Sequence, residues 1–72
     1  MMIMFNKGDL VTCKYEYHDR YRITNDFSIC VVVKNTSSNK ICIKLLKRKD
    51  GLFKDHIGEI FEVCSDWFEL IN

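Results

Sequence analysis

Ser28-Ile-Cys-Val-Val-Val-Lys34 is followed by Asn35-Thr-Ser-Ser-Asn39 and then by Lys40-Ile-Cys-Ile-Lys-Leu-Leu46. β-Branched residues at alternating positions, broken by Asn and Ser, predict two paired strands. The alternation assigns Ile29, Val31 and Val33 to the inner face of the first strand, and Ile41, Ile43 and Leu45 to that of the second. Cys30, Val32 and Lys34 then face outward, as do Cys42, Lys44 and Leu46. A slip of one residue would turn every isoleucine to solvent, so the pattern carries register information. This hairpin is the expected centre of a small all-β domain.

Upstream, Asn6-Lys-Gly8-Asp9 reads as a turn, with Gly supplying backbone freedom. Leu10 to Tyr15 reads as the first strand, with Val11 and Cys13 on one face and Thr12 and Lys14 on the other. Tyr15 to Asp26 is polar and aromatic and lacks apolar spacing of either period. It reads as a long first loop, and loops of about 12 residues are uncommon in compact domains unless they have a task.

Downstream, Asp50-Gly51 is a turn signal, and Lys47 to Gly58 reads as an extended hairpin tip closed by Leu52, Phe53 and Ile57. A helix over 45–57 is the alternative, but Asp50-Gly51 interrupts it and no continuous 3.6-period stripe runs through it. Glu59 to Cys64 reads as the fourth strand, with a bulge at Ile60-Phe61 to restore alternation. Ser65-Asp66 reads as a capping pair for one 3₁₀ turn, before a last short strand over Glu69 to Ile71. The expected core is therefore Val11, Cys13, Ile29, Val31, Val33, Ile41, Ile43, Leu45, Ile60, Val63, Phe68 and Leu70.

The 72 residues make one domain, 1–72, with no proline, repeat or low-complexity run. A chain this short buries roughly 60% of its unfolded surface. Its apolar residues go to the core, which leaves few for a deep catalytic pocket. No apolar run approaches the roughly 20 residues that span a membrane. Met1 to Phe5 is too short for a signal peptide, so the expected location is cytoplasmic, the host-cell cytoplasm if the source is viral. Cys13, Cys30, Cys42 and Cys64 lie 17, 12 and 22 residues apart, without a Cys-x-x-Cys pair, so they read as free strand thiols rather than metal ligands. No cofactor or metal is expected.

The succession of strand, long loop, strand, short loop, strand, hairpin tip, strand, 3₁₀ turn and strand is similar to the five-stranded Src-homology-3-like small barrel shared by Src-type, Tudor and ribosomal-type domains. Gly8-Asp9-Leu-Val11 resembles the Gly-Asp-x-Val lead into the first strand of that family. Gly58-Glu-Ile-Phe-Glu-Val63 resembles its fourth strand, and Trp67-Phe68-Glu-Leu70 stands where its short helix hands over to the last strand. The Ala-Leu-Tyr-rich pattern, the paired Trp and the proline of true Src-homology domains are missing, so binding of proline-rich peptides is not implied. The richness in Asn, Lys, Ile and Phe, together with the small size, resembles early bacteriophage proteins, which implies a modulator of a host protein.

Five constellations carry the functional expectations. Tyr15, Tyr17, His18, Arg20, Tyr21, Arg22 and Phe27, joined by Trp67, combine large contact area with polar handles, as protein interfaces do. The plain alternative is that these rings cover one end of the barrel. The stretch from Lys44 through Lys47, Arg48 and Lys49 could contact phosphates, or pair across the sheet with Glu59 or Glu62. Charge is split along the chain: six basic residues and one acidic residue in 40–54, then five acidic and no Lys or Arg in 55–72. His18 and His56 lie in expected loops, and nothing places a thiol beside either ring, so no catalytic pair is expected. Met1 to Phe5 could fray, add an edge strand or meet a second copy, giving a monomer or a homodimer. The expectation is a non-catalytic protein-binding module, with a nucleic-acid-binding barrel that uses the basic hairpin tip (Lys47, Arg48, Lys49) and the tyrosines as the alternative.

Overall fold

The computed structural model describes residues 5–14, 28–48 and 54–71. Within them run β1 (Leu10–Cys13), β2 (Ser28–Ser37), β3 (Lys40–Arg48), a 3₁₀ turn (Lys54–His56), β4 (Ile60–Cys64), a second 3₁₀ turn (Ser65–Trp67) and β5 (Phe68–Leu70). The strands form one antiparallel sheet in the order β4-β3-β2-β1-β5. The all-β, five-stranded expectation therefore holds. The sheet is open, with β4 and β5 as its two edges and no pairing between them among the described residues. No described helix is long and apolar enough to cross a membrane.

The central hairpin corrects the expected face of β2. The strand runs on to Ser37, which pairs with Lys40 around a two-residue turn, Ser38-Asn39, in place of the expected five-residue loop. Loop length and the bulges beyond the loop together set the parity. A five-residue loop with Lys34 opposite Lys40 would set Val31 against Ile43. In the structure Val32 lies opposite Ile43 and Cys30 opposite Leu45. Directly paired residues share a face, so Ser28, Cys30 and Val32 are buried while Ile29, Val31 and Val33 are only half-buried. Ile-Cys-Val-Val-Val is apolar on both faces, so its alternation could not decide between them.

Three register shifts punctuate this ladder, each setting two residues of one strand against one step of the other. Thr36 and Val33 are the extra residues on β2, and Leu46 is the extra residue on β3. Beyond Leu46 the alternation inverts: Lys47 faces out, opposite Ile29, and Arg48 turns inward, opposite Ser28, at 7% exposure.

β4 pairs with β3 without interruption, so the expected bulge at Ile60-Phe61 does not exist. Phe61 lies opposite Ile43 and packs against the core; Ile60 lies opposite Lys44 and is 58% exposed. Ile60 therefore leaves the expected core. Leu70 leaves it too: it pairs with Val11 on the inner side, but β5 is an edge strand and Leu70 is 51% exposed. The observed core is Phe5, Val11, Cys13, Cys30, Val32, Ile41, Ile43, Leu45, Val63 and Phe68.

Phe5 joins that core because the turn after it is fastened to β2. The Asn6 N–H donates to Asp9 Oδ2 at 2.8 Å and the Asp9 N–H to the Asn6 carbonyl at 3.0 Å. Gly8, at φ 95°, donates its N–H to the Val32 carbonyl at 2.8 Å. Asn35 Nδ2 reaches back to the Phe5 carbonyl at 2.7 Å. Met1–Met4 lie outside the described residues.

Part of the expected hairpin tip differs as well. β3 continues to Arg48, which excludes a helix starting at Leu45, and Lys54–His56 forms a 3₁₀ turn. Asp50-Gly51, Leu52 and Phe53 lie outside the described residues. Gly58, at φ 90°, then returns the chain to β3, donating to the Leu45 carbonyl at 2.7 Å. The 3₁₀ turn before β5 is present, but not through the expected cap. Cys64 is its N-cap residue, without a side-chain hydrogen bond, and the Ser65 N–H donates to the Asn39 carbonyl at 2.8 Å. Ser65 Oγ is buried with no hydrogen-bond partner among the described residues.

These placements set two expectations for stability. Ile43→Ala should cost roughly 2–5 kcal/mol in urea unfolding, whereas Ile60→Ala should stay within about 0.5 kcal/mol of the parent; equal losses would contradict the β3–β4 register. Ser65→Ala should raise stability by roughly 1 kcal/mol, because it removes a buried hydroxyl that has lost its water without gaining a partner. A clear loss in that variant would mean the hydroxyl is satisfied.

Candidate functional site

Of the expected contact residues, Tyr15, Tyr17, Arg20, Tyr21 and Arg22 lie outside the described residues, as do His18, Phe27 and Lys49. Trp67 is described. It sits on the second 3₁₀ turn, half-buried and packed against the core. Its backbone carbonyl accepts the N–H of Lys14 at 2.8 Å. The strand that leads into the tyrosine-rich segment is thus fastened beside Trp67.

The basic stretch is divided by the Leu46 bulge. Lys47 is exposed on the outer face, while Arg48 is buried on the inner one. The expected pairing of Lys44 with Glu59 or Glu62 is not made among the described residues. Lys44 faces Ile60, and Glu62 faces Cys42. Glu59 instead holds His56, with Nδ1 2.9 Å from Oε2 on the exposed side of the first 3₁₀ turn. Among the described residues, Lys44 and Glu62 therefore stand on adjacent strands without facing each other.

The outer face of the sheet is what the register brings together. Leu10 pairs with Val31, Val31 with Lys44, and Lys44 with Ile60, so these four residues form one line across β1, β2, β3 and β4. Leu10 is 43% exposed and Ile60 more so; Val31 is half-buried between them. A neighbouring line runs from Glu69 through its partner Thr12, with Ile29 opposite Lys47 further in, and Leu46 exposed at the bulge. A third joins Lys34, Cys42 and Glu62. Large aliphatics and lysine ammoniums thus alternate on a surface that faces water. The outward lysines and Leu46 of β3 are legible in the sequence. The line is not, because simple alternation puts Val31 and Ile60 inside.

The thiols are placed for packing. All four are free; Cys13 and Cys30 are buried, Cys42 and Cys64 half-buried. Burial pushes the Cys30 thiol from its ordinary 9.0 up to about 11, against the Ser28 hydrogen bond and the Arg48 charge, which lower it. A thiol held protonated this way is a poor nucleophile and a poor metal ligand. No group of three or more metal-binding side chains occurs among the described residues.

The folded chain keeps the Cys30 proton to higher pH than the unfolded chain does. The stability tied to Cys30 is therefore intact below pH 9.0 and is lost as pH rises toward about 11. Unfolding measured across that window should show a steeper alkaline loss in the parent than in Cys30→Ala. Parallel pH profiles would contradict the burial of the thiol.

Comparison with protein-family models, with curated proteins and with solved structures gives no match to this chain.

Proposed function

We propose that the chain is a non-catalytic protein-binding module whose contact surface is the outer face of the sheet. The observation that carries this reading is the Leu10–Val31–Lys44–Ile60 line, in which two large aliphatics stand exposed at either end of a four-strand row. Exposed aliphatics gathered on one face of a small domain gain free energy when a partner covers them. The order β4-β3-β2-β1-β5, with a 3₁₀ turn leading into the strand that returns beside β1, supports a Src-homology-3-like small barrel as the scaffold. In this reading Tyr15, Tyr17, Arg20, Tyr21, Arg22 and Trp67 add rings and guanidinium groups to the contact. The protein would act in the cytoplasm of a host cell, as a phage-type modulator of one of its proteins.

The nucleic-acid reading is weaker on these observations. It relies on Lys47, Arg48 and Lys49 together with the tyrosines, which lie outside the described residues, and burial withdraws Arg48 from any phosphate. The described strand positions of the outer face also carry no aromatic ring to stack on a base.

Pull-down from host lysate tests the proposal. The parent chain should retain one stoichiometric protein. The Leu10→Glu, Ile60→Glu double variant, folded by circular dichroism because neither residue is in the core, should lose it. Tyr17→Ala with Tyr21→Ala should weaken it. Retention by the Leu10/Ile60 variant would sink the proposed face, and capture abolished by nuclease would favour the nucleic-acid reading.

A further inference from the structure

The outer face has a charge as well as a texture. Lys34, Lys40, Lys44 and Lys47 are all exposed on it, on the two central strands. Among the described residues, the acidic side chains on the same face are Glu62 and Glu69, and both sit on edge strands. The middle of the face is therefore cationic and aliphatic together. With strands about 4.8 Å apart, the line from Leu10 to Ile60 is roughly 14 Å wide, about the span of one helix or two strands of a partner.

We infer that this face docks an acidic protein segment that also bears aliphatic side chains. The inference rests on the protein-binding reading above and specifies the partner's chemistry. Leu10, Leu46 and Ile60 gain only if apolar atoms cover them, which a purely anionic polymer does not supply. The lysines select against basic partners and speed encounter with acidic ones, more than they add affinity. A nucleic acid would meet the lysines but leave the aliphatics wet. A second copy docked through the same face about a two-fold axis would set lysines against lysines. Each of these occupants satisfies either the lysines or the aliphatics; an acidic aliphatic segment satisfies both along the centre of the face.

The experiment titrates the isotope-labelled full chain at low ionic strength with three probes, followed by amide chemical shifts. The first probe is a synthetic peptide of Glu, Asp, Leu and Val. The second has serine in place of its Leu and Val. The third is a single-stranded oligothymidylate. The first should bind and shift Leu10, Val31, Lys44 and Ile60. The serine peptide should bind at least about tenfold more weakly, as expected for losing the burial of even one large aliphatic. Lys44→Glu with Lys47→Glu should weaken the first peptide by a similar factor, and Lys44→Gln with Lys47→Gln provides the same test if the charge reversal fails to fold. Absence of binding by the first peptide, equal binding by the serine peptide, tighter binding by the oligothymidylate, or shifts that follow protein concentration alone would each overturn the inference. If the first peptide fails while lysate capture still depends on Leu10 and Ile60, the partner chemistry is wrong and the binding face stands. If both fail, the protein-binding reading falls with it.

Discussion

The ladder that sets Cys30 against Leu45 and Val32 against Ile43 decides which side of the central strands is wet. β3 has a clear apolar face, because Ile41, Ile43 and Leu45 alternate with Lys40, Cys42 and Lys44. β2 has no such face of its own and takes one from its partner. Once the two-residue turn and the bulges at Thr36 and Val33 set the register, Cys30 and Val32 are inside and Ile29 and Val31 are displaced outward. The core thereby exchanges larger side chains for smaller ones. Phe5, folded back by the Asn6–Asp9 turn, and Phe68 supply the bulk that thin residues such as Cys30 and Ser28 do not. A small domain has little apolar area to spare, so the recruitment of Phe5 matters to its stability.

The same register generates the surface. Val31 is outward because Val32 is inward, and it then bridges Leu10 and Lys44. Ile60 is outward because β4 pairs with β3 without a bulge. The Leu46 bulge adds an exposed aliphatic and inverts the alternation beyond it, sending Lys47 to solvent and Arg48 to the interior beside Ser28 and Cys30. Scaffold and candidate binding face are thus one set of hydrogen bonds seen from two sides. Burial of Arg48 also has an electrostatic consequence: its charge lies close enough to Cys30 to oppose the rise that burial gives the thiol.

Much of this is legible in the sequence. Five strands, the turn around Gly8, the inward set of β3, the pair Val11 and Cys13, and a 3₁₀ turn before the last strand all come from alternation and turn chemistry. The face of β2 is not legible, because five apolar residues in a row satisfy either register, and the register rests on where the turn begins and on bulges at Thr36 and Val33 that no local signal marks. Ile60 misleads because two adjacent apolar residues look like a bulge when either can be the outer one. Arg48 is unreadable without the bulge at Leu46, which no local signal marks. For the candidate site, the outward lysines and Leu46 of β3 are visible, but their line with Leu10, Val31 and Ile60 needs the pairing between strands. The tyrosine-rich segment that the sequence puts forward lies outside the described residues, apart from Trp67 at its margin.

The central claim is the β2–β3 register, and short contacts between backbone Hα protons across the ladder test it most directly. Facing residues in an antiparallel pair bring their Cα atoms to roughly 4.5–5.5 Å. Nuclear Overhauser contacts should therefore link Cys30 with Leu45, Val31 with Lys44 or Val32 with Ile43. Contacts linking Val31 with Ile43 and Ile29 with Leu45 would contradict the account, returning Val31 to the core and dissolving the line of exposed aliphatics on the outer face.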